Sequence, residues 1–339
     1  MELLYALIEI IAKSLVVFVG LLLMTAYNTL FERKVLGHIQ VRYGPNRVGP
    51  FGLLQPIADG VKAFFKEDML PARADKVVFM MAPAISVASV LSLAAVIPFS
   101  NDLVLKSGRI IKMVVADIDM GLLYLFAISS IGEFGVVLGG WASGNKYGVT
   151  GSLRAAAQMI SYEVFIGLAL IGVLMISQTL NLREIVLAQA GGFWHWNVFF
   201  QPVAFLLFFV GGLAELARVP FDMPEAESEL ACGFNIEFSS MKFSLYFIAE
   251  YAHMIIMPAV AVTLFWGGWH PIVPAMAFIP GWIWFLAKVF VLVFICIWIR
   301  ATYPRLRYDQ IMKFGWKILL PLTLANIFVT GLVLVIKGA

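Results

Sequence analysis

The sequence predicts an all-α integral membrane protein of about eight transmembrane helices with an amphipathic helix on its cytoplasmic side. Of 339 residues, 61% are hydrophobic and only 13% are charged, against about 25% charged in an ordinary soluble domain. Mean hydropathy is +0.91. The apolar residues are gathered into stretches of membrane-spanning length with no period-two alternation, which excludes barrel strands, because a chain in lipid must satisfy its own backbone hydrogen bonds.

Eight stretches stand out, at approximately 3–30, 77–98, 113–142, 154–177, 198–218, 242–268, 282–302 and 316–336. The first is too long for the apolar core of a signal peptide and has no small-residue cleavage site after it, so it is expected to be a retained span. Neither internal repeats nor low-complexity linkers interrupt the rest, and residues 1–339 are expected to form a single membrane domain. The net charge of +3 is too small for a nucleic-acid partner. Two cysteines, Cys232 and Cys296, offer no zinc or iron–sulfur spacing and read as packing thiols.

Lysine and arginine set the orientation. The loop after the first span carries Arg33, Lys34, Arg42, Arg47, Lys62, Lys66, Arg73 and Lys76, and the third, fifth and seventh spans are followed by Lys146, Arg218, Arg300, Arg305 and Arg307 among others. The opposite side has few: Lys106, Arg109, Lys112, Arg183 and Lys337. The positive-inside rule makes the richer side cytoplasmic, or the equivalent side of an organelle, and leaves both termini on the other face.

Two loops on the basic side are unusual. In the first, a Gly/Pro-rich turn region gives way to a helix over about 55–68, where Ile57, Val61, Phe64 and Phe65 form one apolar stripe. It reads as a helix lying at the membrane surface, either a passive anchor or part of a site. In the second, Arg218 to Met241, the acids Asp222, Glu225, Glu227, Glu229 and Glu237 crowd the face that should be basic. A solvated acidic loop is the simpler reading of that segment taken alone.

Glu133, Glu163 and Glu250 lie inside the third, fourth and sixth apolar runs. Counted from the cytoplasmic ends they reach a depth of about 12–14 Å, near the middle of a ~30 Å core. A charged carboxyl there costs about 2.5–3.5 kcal/mol on insertion scales, and such groups mark a proton or ion path unless they are neutral packing residues. No basic residue is evident at that level, and Glu215 is expected to be shallower, nearer the acidic loop. Glu9 and Lys13 are spaced for a local ion pair, Asp117 and Asp119 for a proton exit or a headgroup position, and His253, three residues after Glu250, for a relay.

The segments ERKVLGHIQVRYGPNRVGPFGLLQPIADGVKAFFKED, GWASGNKYGVTGSLRAAAQMISYEV, PFDMPEAESEL, EFSSMKFSLYFIAEY and RATYPRLRYDQIM, in that order, resemble the signature segments of one family. It is the membrane subunit of proton-pumping NADH–quinone oxidoreductase, respiratory complex I, called the H subunit in bacteria and subunit 1 in mitochondria. The resemblance implies a position at the joint between hydrophilic and membrane arms, with quinone as substrate, no redox cofactor of its own, and FMN and iron–sulfur clusters in partner subunits. It implies hydrophilic-arm iron–sulfur and quinone-site subunits, small and antiporter-like membrane subunits and lipid as partners, and a bacterial inner membrane or an organellar one. By motif, the chamber candidates are Glu32, Arg33, Asp59, Lys62, Phe221, Asp222 and Arg300. The carboxylate path would run through Glu163, Glu215, Glu225, Glu227, Glu229, Glu237 and Glu250, with Glu133 added on depth alone.

The chain departs from the family pattern at Ala217, where asparagine often precedes the arginine, at Asn235 in place of a usual histidine, and at Ser240 in place of a usual glycine. Two rivals remain at this point: the related membrane component of a membrane-bound hydrogenase or formate-hydrogen lyase, and a stand-alone ion transporter, against which the lack of repeats and of broken-helix substrate motifs argues.

Overall fold

The computed structural model describes residues 2–104, 110–224, 227–273, 276 and 278–337, with the side chains of residues 2–6, 104, 227 and 228 excepted. Lys106, Arg109 and Glu225 therefore lie outside the described residues, as does the side chain of Glu227. Among the described residues seven helices are long and apolar enough to cross a membrane, and the protein is a multi-pass membrane protein.

In chain order the long helices are α1 (Glu2–Ile39), α3 (Lys76–Leu93), α4 (Gly121–Ala142), α5 (Lys146–Ser177), α10 (Ser240–Phe265), α11 (Gly281–Thr302), and the composite of α12 (Tyr308–Phe314), a π-helical turn (Gly315–Leu319) and α13 (Leu320–Lys337). Between them come α2 (Gln55–Phe65), a two-stranded hairpin of β1 (Leu103–Val104) and β2 (Ile110–Ile111), and the short helices α6 (Leu182–Ala188), α7 (Asn197–Phe200), α8 (Pro202–Glu215) and α9 (Glu227–Leu230). One hydrophobic core joins α1, α3, α4, α5, α8, α10 and α11, and α10 is its axis: 78% of its most apolar window is buried, against 6% for α1 and 17% for α12–α13, which face outward.

Caps and breakers explain the boundaries. Asp75 accepts from the backbone N–H groups of Val77 and Val78 and starts α3, Asn145 accepts from Tyr147 and starts α5, and Asn181 starts α6. The third expected span begins late, at Gly121, because residues 113–120 form an outer loop. There Asp117 bonds Lys112 at 2.6 Å and Asn181 at 3.0 Å, and Arg183 bonds Asp102. Burial would raise the Asp117 carboxyl, but Lys112, Asn181 and Arg183 outweigh it and hold it below the ordinary range. Glu9 and Lys13 pair at 2.6 Å as their spacing implies.

The fifth expected span, 198–218, is interrupted. Gln201 leaves the helical region, Pro202 opens a new helix, and Gln201 instead donates to Thr330 at 2.7 Å and accepts from Asn326 at 3.1 Å, both on α13. The remaining α8 is 14 residues long, about 21 Å, and too short for a ~30 Å core. Its end and the loop beyond it are consequently drawn into the protein.

Small residues let α3 and α4 approach closely. A Cβ at Gly135 would meet the Ala82 carbonyl oxygen at 2.8 Å and the Ser86 backbone nitrogen at 3.0 Å, while Ser86 donates to the Gly132 carbonyl at 3.2 Å. Lys288 on α11 is buried against carbonyl oxygens rather than an acid. Its ammonium donates to the carbonyls of Trp266, Gly268 and His270 at 2.7, 2.9 and 2.7 Å and lies 3.9 Å from the Trp196 ring centroid. This satisfies three carbonyls of the turn that follows α10.

The amphipathic helix α2 ends at Phe65, earlier than the expected 68, because Lys66 turns into extended backbone. Its stripe is exposed on this chain, with Ile57 at 60% and Phe65 at 81%. Ser240 ties its C-terminal end to α10: the hydroxyl donates to the Ala63 carbonyl at 3.0 Å and, as the alternative acceptor, to Lys66 at 2.8 Å. Ser240 does this at φ 56, a left-handed conformation that glycine adopts more readily. The same holds for Ala217 at φ 49, so two departures from the resembled family fall where its usual glycine and asparagine are conformationally favoured. Ser240→Ala keeps the strain and loses the anchor, and should cost about 1–2 kcal/mol in thermal unfolding in detergent. Ser240→Gly relieves the strain while losing the same bonds, and should be the more stable of the two; an alanine variant as stable as the wild type would show that the hydroxyl does not hold α2.

Candidate functional site

The densest charge in the membrane core gathers around Arg218. The loop after the short α8 carries this guanidinium inward until its side chain is only 6% exposed. It donates to both oxygens of Glu32 on α1, at 2.7 and 2.8 Å, and to Glu250 on α10 at 2.8 Å. Arg300 from α11 bonds the same Glu32, whose side chain is 1% exposed, and the Tyr251 hydroxyl donates to Glu32 as well. The Arg218 guanidinium lies over the Tyr251 ring, 4.3 Å from its centroid. Glu250 and Glu32 together offset the cost of taking this cation out of water. Two carboxylates and two guanidiniums thus neutralise one another, a requirement for charges this deep.

This corrects the expectation that no basic residue stands at the depth of the acids: Arg218 pairs with Glu250. The physical reason is the shortness of α8, which brings a loop arginine to the level of Glu250.

Adjoining this cluster is a cavity of about 100 Å³ lined by Glu250, Glu133, Glu215, His253, Ser86, Ser89 and Ser129 beside apolar groups. Its wall is mostly apolar, but these carboxyls and hydroxyls share one space large enough for several waters. Glu133 reaches it from α4 with one carboxyl oxygen buried and unpaired. Consecutive serines on α4 hold two further acids: Ser129 donates to Glu215 on α8 at 2.6 Å, and Ser130 donates to Glu163 on α5. His253 on α10 stands with Nε2 3.5 Å from Glu215. Glu215 is therefore not shallower than the row, as expected from position, but part of it, because α8 ends inside the protein. Glu133, Glu163 and Glu215 form one group, and Glu250 connects it to the Arg218 cluster.

The remaining candidates lie nearer the basic face and divide by side. Glu32 and Arg33 are adjacent on α1 but point apart, as helical neighbours do. Arg33 turns outward and donates to Asp59 on α2 at 2.7 Å; Gln55 donates to Asp59 at 2.9 Å and Lys62 stands 3.8 Å from it. Asp222 bonds Arg305 at 2.5 Å; burial pushes its carboxyl up, with Arg305 and Arg300 pulling the other way. Phe221 is packed inside, 5.6 Å from the Tyr162 ring and 6.4 Å from that of Phe314, while its carbonyl accepts from Gln158 at 2.7 Å. Glu229 is bonded to Arg154 at 2.6 Å, and Glu237 accepts from Asn145 at 2.6 Å. These two acids stand apart from the inner group.

Sequence reasoning missed Arg218, Tyr251, Arg305 and the Ser129–Ser130 pair as site residues. The one available signal was the serine pair one helical turn before Glu133 within an apolar run; the others depend on tertiary placement. Among the described residues no group of three His, Cys, Asp or Glu side chains is arranged to hold a metal ion.

A family model described as NADH dehydrogenase matches residues 12–331. The chain is 52% identical over 341 residues to the NADH-quinone oxidoreductase H subunit 1 of Geobacter sulfurreducens, covering 98% of this chain and 96% of that one. It is 50% identical over 335 residues to the NADH-quinone oxidoreductase H subunit of Syntrophotalea carbinolica, covering 99% of each. With the corresponding protein of Rickettsia typhi the identity is 48% over 335 residues, covering 98% of this chain and 96% of that one. On matches of this length and identity, the chain belongs to the NADH dehydrogenase family.

Proposed function

We propose that this chain is the membrane subunit of a proton-translocating NADH–quinone oxidoreductase, forming the membrane side of the quinone chamber and carrying a carboxylate path that couples quinone reduction to proton movement. The observation that carries this reading is the continuity of charge from Glu32 through Arg218 to Glu250, across the cavity to Glu215 and Glu133, and through the adjacent serines Ser129 and Ser130 to Glu163. A protein that only anchored a complex has no use for so much ionisable chemistry at that depth, where each group is costly. The near-full-length relatives, named as H subunits of NADH-quinone oxidoreductase, favour this enzyme over a hydrogenase-type assembly or a free-standing transporter.

In this reading the chamber opens at the basic face, near Glu32, Arg33, Asp59, Lys62, Phe221, Asp222 and Arg300, with Glu229 and Glu237 of the acidic loop beside it; Glu225 and Glu227 belong to the same proposed carboxylate path by motif alone. Electrons arrive from flavin and iron–sulfur clusters in partner subunits, and this chain supplies charge and protons rather than a redox centre. Quinone reduction alters the charge facing Glu32, Asp222 and Arg300. Arg218, shared by Glu32 and Glu250, transmits a change on one carboxylate to the other, because weakening one of its bonds strengthens its hold on the remaining partner. The cavity beyond Glu250 then lets the shift proceed as proton transfer among acids that cannot all ionise at low cost in a low-dielectric site. The basic loops face the cytoplasm of a bacterial inner membrane, and both termini face the opposite side.

Two sets of variants test the reading in the assembled complex. Arg33→Ala frees Asp59 and loosens α2 from α1; quinone reduction should fall roughly tenfold, about 1.4 kcal/mol, while NADH oxidation by an artificial acceptor stays at the wild-type rate. An equal fall in both activities with normal assembly would count against a chamber role. Glu163→Gln keeps shape and hydrogen bonding but cannot carry a proton, and Glu250→Gln in addition leaves Arg218 to Glu32 alone; both should assemble yet lose proton pumping, with turnover falling alongside. Wild-type pumping ratio and rate in both variants would mean that the path does not run through these carboxyls.

A further inference from the structure

His253 is a group the carboxylate path leaves unused. It lies on α10 one turn beyond Glu250 and reaches the same cavity. A second, smaller cavity of about 50 Å³ continues beyond it, lined by Leu122, Leu125, Phe126, Leu170, Phe208 and other apolar side chains. Four residues border both spaces: Leu93, Ser129, Glu215 and His253. Glu215 and His253 are thus the titratable pair, among the described residues, that stands where the acid-lined space meets the smaller one. Their separation of 3.5 Å is within reach of a direct hydrogen bond after a small side-chain adjustment.

The polar groups that share the cavity with His253 are acids, hydroxyls and the Asn235 amide, set among apolar side chains. Glu215 comes from α8, Glu133 and Ser129 from α4, Ser86 and Ser89 from α3, and Glu250 from its own helix. Arg218 is committed to Glu32 and Glu250.

We propose that His253 is a proton-carrying residue of this protein, passing protons between the cavity that Glu250 lines and the carboxylate of Glu215. This rests on the function proposed above and deepens it. Histidine suits the position because its ring nitrogens can accept and release a proton without a change of shape. In the forward step the Nε2–H bond of the imidazolium breaks as an O–H bond forms on Glu215, leaving neutral imidazole. The imidazole then takes a proton from water in the cavity; an O–H bond there breaks as the N–H bond re-forms, and Glu250, which takes up a proton from the basic face when Arg218 shifts its hold to Glu32, returns that proton to the water and becomes a carboxylate again. No electrons move, and the reverse direction balances in the same way. Because the space beyond is apolar, protons can be handed to Glu215 without a continuous water file that would let them leak. Ser129 and Ser130, adjacent on α4, then bring the Glu215 proton beside Glu163.

The test uses the whole complex in proteoliposomes, comparing the unaltered protein with His253→Asn and His253→Gln. Proton pumping per electron pair and NADH–quinone turnover are measured. The expected result is normal assembly, at least a fivefold loss of coupled turnover and a lowered pumping ratio. Unchanged pumping ratio and turnover in either assembled variant would overturn the assignment. Failure of both variants to assemble would make His253 a packing residue and overturn it equally. If the unaltered complex shows no NADH–quinone activity, the proposed function itself fails, which is a separate outcome from a silent histidine.

Discussion

One guanidinium organises the interior of this protein. Arg218 is shared by Glu32 on α1 and Glu250 on α10, so a loop residue ties together two helices and two acids that would otherwise repel. Removing one partner from a buried pair typically costs about 3–5 kcal/mol because an uncompensated charge remains. Arg300 adds a second cation on Glu32, and Tyr251 presents both its ring to Arg218 and its hydroxyl to Glu32. The geometry is tight on the Glu32 side and open on the Glu250 side, where the carboxyl borders the cavity. That asymmetry suits a group that must hold one acid firmly and yield the other.

The arrangement follows from a short helix. If α8 crossed the whole core, Glu215 would sit near the basic face and Arg218 would be in solvent. Ending after 14 residues, it leaves Glu215 beside Ser129 and delivers Arg218 to the level of Glu250. The cavity is a consequence of the same shortfall, since Leu216, Ala217 and Pro224 from the loop beyond α8 form part of its wall. The charged groups at the basic face and the acids inside are thereby joined through protein rather than through bulk water, which strengthens every charge interaction along the way.

Much of this was legible in the sequence, and the parts that were not share a cause. Apolar runs announce spans because lipid demands them, and Glu133, Glu163 and Glu250 announce themselves by interrupting such runs. The amphipathic stripe of α2 was visible from its period. The break at Gln201 was not, since a glutamine before a proline inside an apolar stretch carries no mark of its tertiary partners Asn326 and Thr330. The level of Glu215 and the burial of Arg218 both depended on that break. Ser240 and Ala217 illustrate a different limit: each was visible as a departure from a familiar pattern, but its meaning required the backbone angle, φ 56 and φ 49. Lys288, a cation inside an apolar run, became intelligible only when the carbonyls of Trp266, Gly268 and His270 were found around it.

The account stands or falls on whether Arg218 makes Glu32 and Glu250 one unit. A double-mutant cycle measures this directly: coupled quinone reduction by the assembled complex with Glu32→Gln, with Glu250→Gln, and with both. If the carboxylates act through a shared guanidinium, the combined loss should differ from the sum of the single losses by at least about 1 kcal/mol in activation free energy. Losses that simply add, in complexes with normal assembly, would mean that the two acids work independently and that the link through Arg218 is structural packing alone.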